Sequence, residues 1–173
     1  MYQQRYWTQL KHLKTHVYYT HFYAIRTDAV DKGVNIFLAL TSTSSIAAWA
    51  VFKEYAMLWA GIIALAQVIT AVKPFLPFRQ RLKGLVALGD ALQTIGLESE
   101  KGWYNVSEGK WSDELIHEKI IELAAKINKA EQKCLAGVVL PHKKKILKLA
   151  EAEADKYLTM HYHGEQDEHQ PAN

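Results

Sequence analysis

The chain has 173 residues, 21 Lys and Arg against 18 Asp and Glu, a formal net charge of +3 and a single cysteine, Cys134. That length suits one domain, or a hairpin with a modest soluble part. One cysteine excludes a disulfide within the chain and fits a reducing compartment, and the small, dispersed basic excess gives no argument for a nucleic-acid partner.

Residues 1–32 place Leu10, Leu13, Val17, Ala24 and Ile25 at helical steps, with Tyr18, Phe22 and Tyr23 beside them, and no Pro or Gly interrupts before Gly33. One long amphipathic helix is expected, lying along a membrane surface or running straight into the next segment. Arg5, Lys11, Lys14, Arg26 and Asp28 are spread through this stretch and leave no apolar core for a cleavable signal peptide.

Mean hydropathy over the whole chain is −0.16, yet its apolar residues are concentrated in one block. Residues 33–52 and 55–72 carry no charged side chain, and only Lys53 and Glu54 separate them. Each run is about 18–20 residues, or roughly 27–30 Å of helix, the thickness of a bilayer's hydrocarbon core. An antiparallel transmembrane hairpin over 33–73 follows. Arg26 and Lys32 before it and Lys73, Arg79, Arg81 and Lys83 after it predict both termini in the cytoplasm. Arg26, Lys32, Trp59, Lys73, Arg79 and Arg81 are the expected interface anchors, and Trp49, Phe52, Tyr55 and Trp59 would form an aromatic belt near the turn.

The first span is unusually polar. Asn35, Ser42, Ser45 and Trp49 fall roughly on one helical face, and Gln67 and Thr70 lie near one face of the second span. Two readings stand side by side. Such a face can meet other copies, dry or around a pore. Alternatively, the hydroxyls bond their own helix's carbonyls and the small residues let the two helices pack. Neither span holds an ionisable residue, which argues against a proton relay.

Pro74 and Pro77 end the second span. A helix from Phe78 to Leu97 follows, with Leu82, Leu85, Val86, Leu88, Leu92 and Ile95 on its apolar face; a loop bracketed by Gly96, Gly102 and Gly109 is expected to carry Trp103, Tyr104 and Trp111. Ser112 before Asp113 and Glu114 is an N-cap with an acidic first turn. The helix it opens buries Ile116, Ile120, Leu123, Ile127, Ala130 and Cys134 and stops at Gly137 and Pro141. A last helix starts near His142 with Leu147, Ala150, Ala154, Tyr157 and Leu158 on one side, and residues 164–173 form a polar, disordered tail. The fold class is all-α: a long N-terminal helix over 1–32, a transmembrane hairpin over 33–73 and a cytoplasmic helical bundle over 78–163.

Chemistry-bearing motifs are sparse. His12 and His16 stand four apart but have no acidic or thiol partner at a matching step, so no metal is assigned. Cys134 sits on an apolar face as a core thiol. The Lys143, Lys144, Lys145, Lys148 cluster is a solvated helix start or a surface for anionic headgroups. Trp103, Tyr104 and Trp111 anchor their loop or line a ligand site. No phosphate loop, nucleophile triad or catalytic carboxylate pair is found. A non-enzymatic protein without cofactor is expected.

The order of these parts resembles the SLATT family of bacterial two-transmembrane proteins over roughly residues 15–155. The likeness is carried by the Tyr/Ala/Arg-rich approach helix from Tyr18 to Arg26, the minimal turn between spans, the tryptophans from Trp103 to Trp111 and the acidic start Ser112-Asp113-Glu114-Leu115. The resemblance implies a membrane effector of bacterial anti-phage conflict systems, one that associates with a cytoplasmic sensor or nucleotide-signalling partner, forms homo-oligomers and damages the inner membrane when triggered. Membrane lipid is the expected surrounding. Two rivals remain: a membrane-tethered scaffold that recruits a cytoplasmic partner, and a soluble helical protein whose core holds the hairpin.

Overall fold

The computed structural model describes residues 1–51, 55–76, 78–136 and 140–162, with side chains for all of these except 43–51 and 56. Every regular element among the described residues is helical: α1 (Tyr2–Val51), α2 (Ala56–Val72), a 3-10 turn (Lys73–Phe75), α3 (Phe78–Ser107), α4 (Asp113–Cys134) and α5 (Lys144–Tyr162). The chain is all-α, as the 3.6-residue spacing of its apolar positions requires. The turn at Lys53 and Glu54, Pro77, Gly137 and the tail lie outside the described residues.

α1 is one helix of 50 residues. Of the two courses open to the N-terminal helix, it takes the second and continues past Gly33, where an added Cβ would meet nothing within 4 Å. Two compact units divide the chain: Met1–Ala24 with Lys83–Asn173, and Ile25–Leu82. The first twenty-four residues thus pack with the C-terminal helices.

In the first unit the start of α1 and α3 run antiparallel. Gly89 faces Thr20, Gly96 faces Lys14 and Gly102 faces Tyr6, so rising numbers on one helix meet falling numbers on the other. Tyr6 Oη donates to the Ser99 carbonyl at 3.1 Å and Gln3 Nε2 to the Val106 carbonyl at 3.2 Å, in the same register. Tyr6, Leu13, Leu88, Leu92, Ile95, Val106, Ile116, Ile120 and Leu123 make one buried cluster, against which Ile127, Ala130 and Cys134 pack half-buried. Tyr23, Leu85 and Ile146 make a second.

One sequence expectation is corrected. The loop placed between Gly96 and Gly109 is helical as far as Ser107, so Trp103 and Tyr104 stand on α3. Gly96 and Gly102 were read as breakers. Both lie within the helix; at Gly102 the missing Cβ lets α1 approach, since a Cβ there would come within 2.0 Å of the Tyr6 hydroxyl, whereas at Gly96 it would only touch the Lys14 ammonium at 3.9 Å. The chain turns at Gly109, at φ 65° in the left-handed region that favours glycine. α4 begins as expected, with the Ser112 hydroxyl accepting from the Leu115 N–H at 3.3 Å. α5 buries Ile146, Ala150, Ala154 and Leu158, with Ile146 the position the apolar-face assignment left out.

Candidate functional site

The second unit contains α1 from Ile25 onward, α2, the 3-10 turn and α3 to Leu82. α2 reads AMLWAGIIALAQVITAV, and among the described residues Met57–Phe75 is the one helical stretch long and apolar enough to cross a membrane. Only 6% of it is buried within the protein. Met57, Leu58, Leu65, Val68, Val72 and Phe75 are all exposed. A soluble core helix would hide these side chains, since burying one stabilises by roughly 1.5–3 kcal/mol. Among the described side chains of this helix Ala66 is the buried one, at 6% exposure.

The polar residues singled out in the sequence take distinct positions. Asn35 is fully engaged: its Nδ2 donates to the Asp31 carbonyl at 2.8 Å and to Asp31 Oδ2 at 3.1 Å, and its Oδ1 accepts from Lys73 Nζ. Thr41 donates to the Phe37 and Leu38 carbonyls at 3.0 Å, Ser42 to Ala39 at 2.9 Å and Thr70 to Ala66 at 2.8 Å. Each of these hydroxyls is satisfied by its own helix, so none requires a second copy. Gln67 is exposed and makes no side-chain hydrogen bond among the described residues. The side chains of Ser45 and Trp49 lie outside the described residues.

Of the expected anchors, Lys73 and Arg79 come together in one cleft. Lys32 pairs with Asp28 at 2.7 Å, and Arg26 is exposed. Trp59 is half-buried on α2. Lys73 and Arg79 line a cleft of about 450 Å³ with Asp31, Pro74, Leu76 and Phe78. Arg81 is half-buried, and its Nε is shielded from solvent without a hydrogen-bond partner among the described residues.

The first unit contains a buried charge cluster that sequence reasoning missed. Lys14 is 3% exposed, its ammonium pairs with the Glu100 carboxylate, and it stands 4.3 Å from the centre of the Tyr157 ring. The Tyr157 hydroxyl donates to both Glu100 oxygens at 3.2 Å. Burial, then the Glu100 charge, pushes the Tyr157 and Tyr162 hydroxyls up to about 12, so both stay protonated donors. The available signal was Lys14 itself, a cation four residues after Leu10 and three before Val17 on the apolar stripe of α1. A cleft of about 400 Å³ opens beside it, walled by Tyr18, His21, Leu85, Gly89, Gln93 and Tyr157.

The tryptophans of the expected loop are anchors. Trp103 lies 4.8 Å from Trp7 and 6.4 Å from Tyr6 between ring centres, and Trp111 meets Tyr6 edge-on at 6.2 Å. Tyr104 is exposed, with the Lys110 ammonium 4.3 Å above its ring.

His16 Nδ1 lies 3.5 Å from Glu131 Oε1. Burial pushes the imidazole below the ordinary histidine value of 6.5, against the opposing pull of Glu131. Folding therefore favours the neutral ring. This contribution is complete above about pH 6.5 and is lost as pH falls from there toward the depressed folded value. The melting temperature of the wild type is expected to drop further between pH 7.5 and pH 5.5 than that of His16→Gln; equal drops would contradict the assignment.

No protein-family model matches the chain, and neither a curated protein nor a solved structure matches it.

Proposed function

We propose that residues 33–73 form a transmembrane helical hairpin in the inner membrane with both termini cytoplasmic, and that the protein is an effector whose hairpins assemble to permeabilise or depolarise that membrane. The observation that carries this reading is the exposed apolar surface of α2, 6% buried over Met57–Phe75. Water would oppose such a surface, whereas a bilayer is its natural solvent.

Geometry supports the hairpin. The runs from Asn35 to Val51 and from Ala56 to Lys73 are each about 24–26 Å long at the rise of an α-helix. The Lys73–Asn35 hydrogen bond joins their far ends, as two antiparallel helices of matched length would allow. Gln67 supplies the polar group most in need of a partner, because an amide exposed to hydrocarbon seeks one on another helix. The anti-phage setting, with a sensor or nucleotide-signalling partner, rests on the layout's resemblance to SLATT proteins alone.

A membrane-tethered scaffold is the second reading. It is favoured by the self-satisfied hydroxyls of Thr41, Ser42 and Thr70, which make those positions suitable for a plain anchor.

Strong induction in a bacterial host is expected to collapse the membrane potential, read with a potential-sensitive dye, and Gln67→Leu is expected to weaken the collapse by about ten-fold at matched expression, the equivalent of about 1.4 kcal/mol of association energy. An unchanged potential under wild-type induction would contradict the effector reading. Function retained after exchange of both spans for an unrelated anchor would favour the scaffold.

A further inference from the structure

We propose that the cleft at the C-terminal end of α2 binds the headgroup of an anionic phospholipid, with an acyl chain lying along the exposed face of α2. The inference rests on the transmembrane reading and names the lipid which that reading leaves open.

Two observations converge on this class of ligand. Lys73 and Arg79 line the cleft against one acid, Asp31, whose Oδ2 already accepts from Asn35 at 3.1 Å. The cleft therefore holds an excess of one positive charge. The first residues of α3, Phe78 to Gln80, also line the cleft.

The second observation is apolar. Leu65, Val68, Val72 and Phe75 are spaced three, four and three residues apart, which puts them on one face of the helix, and all are exposed. Leu76, also exposed, lines the cleft itself, so the apolar stripe runs into the charged site. A soluble phosphate compound would use the cations and leave the stripe unused. A phospholipid uses both, and a negatively charged one answers the excess charge. Basic pockets beside spans on the cytoplasmic side suit such headgroups.

The test uses the full chain purified in neutral detergent and offered equal amounts of phosphatidylglycerol and phosphatidylcholine, with retained lipid read by native mass spectrometry. The wild type is expected to retain phosphatidylglycerol in preference. Arg79→Gln, an exposed position, is expected to lower that preference about five-fold, and Lys73→Gln with Arg79→Gln to abolish it. Equal retention of both lipids by the wild type, or an unchanged preference in both variants, would overturn the site. Resistance of the same proteins to alkaline extraction from membranes reports on the transmembrane reading separately: a wild type that resists extraction but shows no preference removes the lipid site and leaves the hairpin standing.

Discussion

Lys14→Met is expected to lower the stability of the helical unit by about 2–4 kcal/mol, measured by urea unfolding of the full chain in detergent. The Lys14 side chain is 4% exposed and that of Glu100 17%. Methionine keeps most of the stem's packing but removes the ammonium. The Glu100 carboxylate then keeps neutral hydroxyl donors such as Tyr157, at 3.2 Å, and carries an uncompensated charge in a low-dielectric site. Breaking a fully buried pair costs about 3–5 kcal/mol, and the partial exposure of Glu100 trims that figure. Glu100→Gln in the same background removes the orphaned charge and should restore most of the loss. A double variant no more stable than Lys14→Met would show that the lysine acts through packing rather than charge.

Gly102→Ala is expected to cost about 2–3 kcal/mol in the same measurement. The new methyl would lie 2.0 Å from Tyr6 Oη, 2.9 Å from Tyr6 Cζ and 3.2 Å from the Trp111 ring. Tyr6 is 1% exposed and cannot swing into solvent. Its hydroxyl must leave the Ser99 carbonyl, so a buried hydrogen bond is lost in addition to the overpacking strain of about 1–3 kcal/mol. Alanine's better helix propensity returns about 1 kcal/mol and does not reverse the sign. Tyr6→Phe removes the clashing oxygen and should rescue part of the loss. Gly33→Ala, with open space around it, should by contrast be neutral or slightly stabilising.

These two positions mark where the sequence was legible and where it was not. Local signals read well: the uninterrupted periodicity before Gly33, the Ser112 cap and the apolar steps from Ile116 to Leu123 all correspond to structure. Gly102 misled because a glycine inside a helix looks the same in sequence whether it breaks the helix or admits a neighbour; only Tyr6 opposite it decides. The Lys14–Glu100 pair was hidden because its members stand 86 positions apart in sequence. The Lys73–Asn35 bond links positions 38 apart and was hidden for the same reason, so the sequence did not show that the Asn35 amide is occupied within the unit. Absence of charge from residues 55–72 was plain, and the structure adds that α2 stays uncovered.

Membrane insertion is the claim on which the functional reading depends, and alkaline carbonate extraction of membranes from cells expressing the full chain tests it most directly. Insertion of the hairpin predicts recovery in the pellet, with release only by detergent, because removing exposed residues such as Leu65, Val68 and Phe75 from hydrocarbon would expose them to water. Recovery in the carbonate supernatant would contradict it.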